Sequence, residues 1–158
     1  IAIDFGQRPE SARNQPAIVT KPGNPLGIAG LAALTDAGVV ALCADTVPCG
    51  RFAAQVLADA GVTIRESRVT RGQNVKATLT AVSQGDAAAG IVYVTDAEAA
   101  GDAVATVAIP DDQNATATYP VGVLAAAAEP EVARAFARYL TSDEAQLVLK
   151  ELGFLPPS

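Results

Sequence analysis

Three short stretches carry residues that could do chemistry. Val47-Pro48-Cys49-Gly50-Arg51 follows an apolar run and opens an amphipathic pattern, so backbone N–H groups fan out where a helix starts. Gln73-Asn74-Val75-Lys76 and Gly90-Ile91-Val92-Tyr93-Val94-Thr95-Asp96 follow at spacings that can bring them to the same place. Unpaired amides at two helix starts, with one phenol, suit a small anion, because a helix start combines free donors with partial positive charge. Arg51 and Lys76 lie beside these positions, and on helices they are expected to face solvent. Catalysis finds little support: the chain has no histidine, no nucleophile elbow and no thiol with a base beside it. The expectation is a binder and not an enzyme. Asp111 and Asp112 resemble a carboxylate pair, but neighbours in a polar loop point apart and read as solvated.

Cys43 and Cys49 stand six positions apart. They could form a disulfide or remain as two buried thiols, while a metal site would want more cysteine or histidine partners than the chain offers. A bridge closing so short a loop would contribute roughly 2–3 kcal/mol in the chain-entropy model. It would also imply an oxidising, extracytoplasmic setting.

The elements that must position these residues alternate. Ala17 to Thr20 reads as a strand closed by Lys21-Pro22-Gly23-Asn24-Pro25, and Leu31 to Leu34 as a short helix ending near Gly38. Val39 to Cys43 is a continuous apolar strand of the doubly buried kind. Phe52, Val56, Leu57 and Ala60 recur at helical spacing up to a cap at Gly61. Val62 to Glu66 is expected as a strand. Asn74 can then cap a helix bearing Val75, Leu79 and Val82, stopped at Gly85. Ala89 to Val94 is a further buried strand leading to a short helix before Gly101. Val104 to Ile109 and Thr118 to Leu124 are later strands. From residue 125 the pattern is helical: Val132, Phe136, Tyr139 and Leu140 form a stripe, and Thr141 with Glu144 makes a capping box for a helix through Leu152. Alternating strands and helices predict an α/β fold with an open, mostly parallel sheet flanked by helices, and ligands in such sheets sit at the carboxyl ends of strands.

Composition narrows the function classes. The 158 residues are half apolar, with a net charge of −6, three tyrosines, four phenylalanines and no tryptophan. With no basic run, nucleic acid is not an expected partner. No stretch approaches the roughly 20 unbroken apolar residues of a membrane span. The chain contains no methionine and begins at Ile1, so it is not expected to be a complete translation product.

From about Ala12 to Pro157 the sequence resembles the substrate-binding protein of molybdate ABC transporters. The resemblance rests on the order and spacing of Lys21-Pro22-Gly23-Asn24-Pro25, Val47-Pro48-Cys49-Gly50-Arg51, Asn74 to Leu79, Gly85 to Asp96, Tyr119-Pro120-Val121 and Gly153-Phe154. It implies the second lobe of a type II periplasmic-binding-protein fold, plus C-terminal helices. On that basis residues 1–16 are an atypical N-terminal segment, 17–124 an anion-binding lobe with hinge strands at both ends, and 125–158 a C-terminal helical segment. The resemblance further implies an oxyanion, molybdate or tungstate, held without a salt bridge by the N–H of Cys49, the N–H of Val75 and the hydroxyl of Tyr93. No cofactor is implied. The expected partner is the membrane permease of an ABC transporter, and the expected location is extracytoplasmic, at the periplasm or cell surface, with a lipid anchor on the full-length parent left open.

The sequence departs from that family at its start. Residues Ile1 to Glu10 do not resemble the family's N-terminal lobe, which contributes two serine-bearing loops to the anion, although Ile1, Ile3 and Phe5 alternate as in a strand. A chain lacking that lobe would bind weakly, and its helical stripe would invite the missing lobe or a second copy. The alternatives are a binder of another oxyanion, such as sulfate or phosphate, and the effector-sensing domain of a transcription regulator, which would need a DNA-binding helix pair.

Overall fold

An apolar run with large side chains pointing both ways must be covered on both faces, and residues 40–43 meet that demand from inside a sheet, whereas Val39, expected in the same strand, precedes it and is 40% exposed. The computed structural model describes residues 9–158. Strand β3 (Val40–Cys43) is buried at every position. It lies between β4 (Val69–Gly72) and β5 (Ala89–Tyr93), parallel to both, in a five-stranded sheet ordered β4-β3-β5-β2-β6. Here β2 is Pro16–Thr20 and β6 is Ala105–Ala108. The α/β class holds, and the sheet is mixed: β2 runs antiparallel to both β5 and β6, so four strands share a direction and one opposes them. Pro16 is tolerated in this central strand because it occupies the first position, where a missing N–H costs little.

Alternation along each strand separates two cores. Ile18, Val40, Leu42 and Ile91 join Leu31, Leu34, Val56 and Leu57 on one face, beneath helix α1 (Pro48–Asp59). Val19, Ala41 and Val92 join Val82 and Ala97 on the other, beneath α2 (Val75–Ser83) and α3 (Val94–Ala100). Helix α1 stops in a Schellman arrangement: Gly61 adopts φ +64°, its N–H reaches the Ala58 carbonyl, and the Val62 N–H reaches that of Leu57. The last turn of α2 is closed by Lys21, whose ammonium donates to the carbonyls of Val82 at 3.2 Å and Gly85 at 2.7 Å.

Several expected elements shift. The helix at Leu31 is a 3-10 turn over Leu31–Thr35. No strand forms over Val62 to Glu66; Val62 and Ile64 pack against the core from irregular chain, Glu66–Arg68 is a 3-10 turn, and the strand is β4. Alternating apolar residues mimic a strand there, whereas the true ladder partner of β3 is an edge strand with exposed Thr70 and Arg71.

These elements lie in a unit spanning Gln15–Thr116, and a second unit joins the chain up to Asn14 with Ala117–Ser158. In the second, β1 (Glu10–Asn14) pairs antiparallel with β7 (Ala117–Pro120), which ends before the expected Leu124. Arg13 and Leu155 exchange backbone hydrogen bonds at 2.8 Å, and Tyr119 meets Phe154 edge to face. Helices α4 (Pro130–Tyr139) and α5 (Asp143–Glu151) follow. The cap of α5 is Ser142, one residue later than expected: its hydroxyl accepts from the Ala145 N–H, while the Thr141 hydroxyl donates to the Arg138 carbonyl at the end of α4. Val132, Phe136, Leu147 and Leu152 remain more than half exposed. The alternation expected at Ile1, Ile3 and Phe5 lies outside the described residues.

Candidate functional site

Because β3, β4 and β5 are parallel, their last residues, Cys43, Gly72 and Tyr93, reach the same edge of the sheet. A helix begins shortly after each of them, which is where open α/β sheets hold ligands.

At α1 the N-cap Val47 is extended and offers no side-chain acceptor, and Pro48 supplies no N–H. Gly50 and Arg51 donate to the Val47 carbonyl, at 3.1 and 3.3 Å, so the Cys49 amide heads the helix. Cys43 and Cys49 are joined by a disulfide with Cα atoms 5.8 Å apart, and the described residues contain no free cysteine. The bridge ties the first turn of α1 to the end of β3. The fit is close: a Cβ on Gly50 would collide with the Ala44 carbonyl, so no other residue enters this turn without moving it.

At α2, Asn74 is the N-cap. Its Oδ1 accepts from the Ala77 N–H at 2.9 Å and its carbonyl from that of Thr78 at 3.1 Å. Those bonds occupy the third and fourth amides of the helix and leave those of Val75 and Lys76 at its head. Thr78 is fully buried, and the proton of its hydroxyl is shared between the Asn74 carbonyl at 3.1 Å and Cys43 Sγ at 3.4 Å. A Cβ on Gly72 would strike the Thr78 hydroxyl, so β4 must end in glycine for α2 to approach.

Tyr93 is half-buried at the end of β5, and its ring meets Phe52 of α1 edge to face with centroids 6.1 Å apart. Burial raises the Asp96 carboxyl above its ordinary range, opposed by a hydrogen bond from the Tyr93 backbone N–H. On the opposite flank, Arg71 donates to Asp45 at 2.6 Å, to Glu66 at 3.0 Å and to the Cys43 carbonyl at 3.1 Å. This pairing holds the Glu66 carboxyl below its usual range and raises the Arg71 guanidinium.

The three residues singled out from sequence therefore lie on linked elements. Cys49 is bonded to Cys43, Cys43 touches Thr78 in the first turn of the helix that Val75 opens, and Phe52 connects α1 to Tyr93. Arg51 and Lys76 are exposed, as expected, and the Arg51 guanidinium lies 3.4 Å from the Thr46 carbonyl. Asp111 and Asp112 are exposed on a 3-10 turn. Among the described residues no acidic, histidine or cysteine cluster could hold a metal ion. Sequence reasoning missed Thr78 and Phe52. The signal for Thr78 was a hydroxyl on the same helical face as Val75 and Val82, where an apolar side chain is the rule.

Comparison with known proteins adds to this geometry. A model of the family described as bacterial extracellular solute-binding protein matches residues 3–155. The molybdate-binding protein ModA of Mycobacterium tuberculosis is 32% identical over 147 residues, covering 92% of this chain and 56% of that protein. The chain thus spans about half the length of the curated relatives it matches. Among solved structures, the periplasmic molybdate-binding protein of Azotobacter vinelandii superposes with a TM-score of 0.78 at 19% identity, over 99% of this chain and 71% of that one. The sulfate-binding protein SubI of M. tuberculosis gives 0.77 at 20% identity, over 97% and 59%.

Proposed function

Since the chain belongs to the bacterial extracellular solute-binding protein family, we propose that it captures a tetrahedral oxyanion, molybdate or tungstate, for uptake through an ABC-transporter permease outside the cytoplasm. The amides of Cys49 and Val75 and the hydroxyl of Tyr93 contact the anion. The observation that supports this reading is that two helices headed by those amides begin after the parallel strands β3 and β4, at the edge of the sheet where β5 ends in Tyr93. Identity to ModA over most of the chain supports the choice of ligand.

The physical task is to replace a hydration shell. A dianion leaves water only if its oxygens regain donors, and hydrogen bonds to charged groups are the strong kind. Amides fixed at a helix start supply them without rearranging. Nothing in this mechanism makes or breaks a bond in the ligand, so the protein is a binder and not an enzyme. Molybdate and tungstate differ from sulfate mainly in size, so discrimination falls to the dimensions of the cradle. Phosphate carries a proton at neutral pH, and a cradle made only of donors offers that proton no acceptor.

Titration calorimetry with molybdate, tungstate, sulfate and phosphate tests the reading. Saturable heat from molybdate and tungstate, undiminished by excess sulfate, is the expected outcome. Sulfate reproducing the molybdate isotherm would favour the second reading, a sulfate binder, which the likeness to SubI supports.

A further inference from the structure

We infer that the Cys43–Cys49 disulfide and the Thr78 hydroxyl act together as the positioning device for the two anion-facing helix starts, so that oxyanion affinity depends on the oxidised bridge. The inference rests on the proposed oxyanion site and deepens it.

One sulfur atom joins both helices. Cys43 Sγ is bonded to Cys49, the second residue of α1, and accepts from Thr78, the fourth residue of α2. Neither cysteine is open to solvent: Cys43 is 0% and Cys49 8% exposed. The peptide between them is otherwise held by the Val47 N–H on the Ala44 carbonyl at 3.1 Å, the Ala44 N–H on the Gly72 carbonyl at 2.8 Å, and two exposed side-chain contacts, Arg71 on Asp45 at 2.6 Å and Arg51 on the Thr46 carbonyl at 3.4 Å, none of which involves Cys49. Val47 brings no side-chain cap, unlike Asn74 at α2, so the bridge stands where a capping side chain would otherwise fix the turn. The absence of room around Gly50 then converts a small movement of the Cys43–Cys49 loop into a displacement of the Cys49 amide.

Reduction by an external dithiol balances simply. The S–S bond breaks, Cys43 and Cys49 each gain a proton and one electron, and the dithiol closes to its own disulfide. The sulfur of Cys43 is then a thiol with its own proton, free to turn away from Thr78. The Cys49 amide loses its fixed direction, and with it the advantage of a preorganised donor.

The test follows backbone amides by NMR while molybdate is added to the 158-residue chain, oxidised and then reduced with dithiothreitol, with circular dichroism recorded in each state. A weakening of molybdate binding of about tenfold on reduction, with helix content kept, is expected from one misdirected charge-assisted bond. Equal affinity in the two states overturns the inference and leaves the oxyanion site standing. No saturable shift in the oxidised chain overturns the oxyanion site itself. Should reduction unfold the chain, Thr78→Val decides with the bridge intact: it is expected to weaken binding severalfold, and Thr78→Ser to restore it. Unchanged affinity in Thr78→Val overturns the positioning role.

Discussion

Tyr93 is the one proposed contact that acts through a side chain, so it is the one that substitution reaches cleanly. Tyr93→Phe keeps the ring against Phe52 and removes only the hydroxyl; molybdate affinity measured by calorimetry is expected to fall about tenfold or more. The other two contacts are backbone amides and survive any side-chain change that leaves the turn in place. Gly50→Ala does not leave it in place, since the new methyl meets the Ala44 carbonyl, and a loss of about 1–3 kcal/mol in urea unfolding is expected. Asp96, three residues after Tyr93, sets a pH dependence. Burial raises its pKa in the folded state, so its protonated form is favoured by folding; the corresponding stability is fully present below the unfolded pKa and is lost as pH rises through the folded one. Asp96→Asn, which keeps an acceptor for the Tyr93 N–H, is expected to flatten the decline in urea midpoint as pH rises above about 4. These are properties of single groups, and the sequence announced them unevenly: Tyr93 stood out as a phenol after an apolar strand, whereas Thr78 matters through a sulfur 35 positions away, a contact that no local pattern encodes.

The elements were legible where one strong local signal dominates. Pro48 at a helix start, Asn74 as an N-cap and Gly61 as a left-handed stop all act where sequence places them. Asn74→Ala removes the acceptor of the Ala77 N–H and is expected to cost about 1 kcal/mol by urea unfolding, with α2 fraying from its first turn. Legibility failed where tertiary pairing outweighs pattern. Val62 and Ile64 alternate like a strand yet serve the core from irregular chain, while β4 is chosen by its ladder to β3 and by the grip of Arg71 on Glu66 and Asp45. At α5 two hydroxyl residues stand side by side: Ser142 accepts as the cap, while Thr141 donates to the end of α4. The reversed direction of β2 was likewise invisible, because a buried apolar run reads the same in either direction.

At the scale of the molecule, family membership and α/β class rest on the whole pattern, and the identity of the anion rests on very few atoms. The three proposed donors, worth roughly 1.5–3 kcal/mol each, do not by themselves surround a tetrahedral dianion. Calorimetry on the 158-residue chain alone is expected to give a molybdate affinity weaker than about 1 µM; a submicromolar value would mean that these donors suffice. The most direct test of the central claim observes the donors themselves. In a 15N-labelled sample of the oxidised chain, molybdate is expected to shift the amide signals of Cys49 and Val75 furthest and along one saturable curve, with Tyr93→Phe moving that curve to higher concentration. Saturable shifts that gather elsewhere and leave residues 49 and 75 unmoved would contradict it.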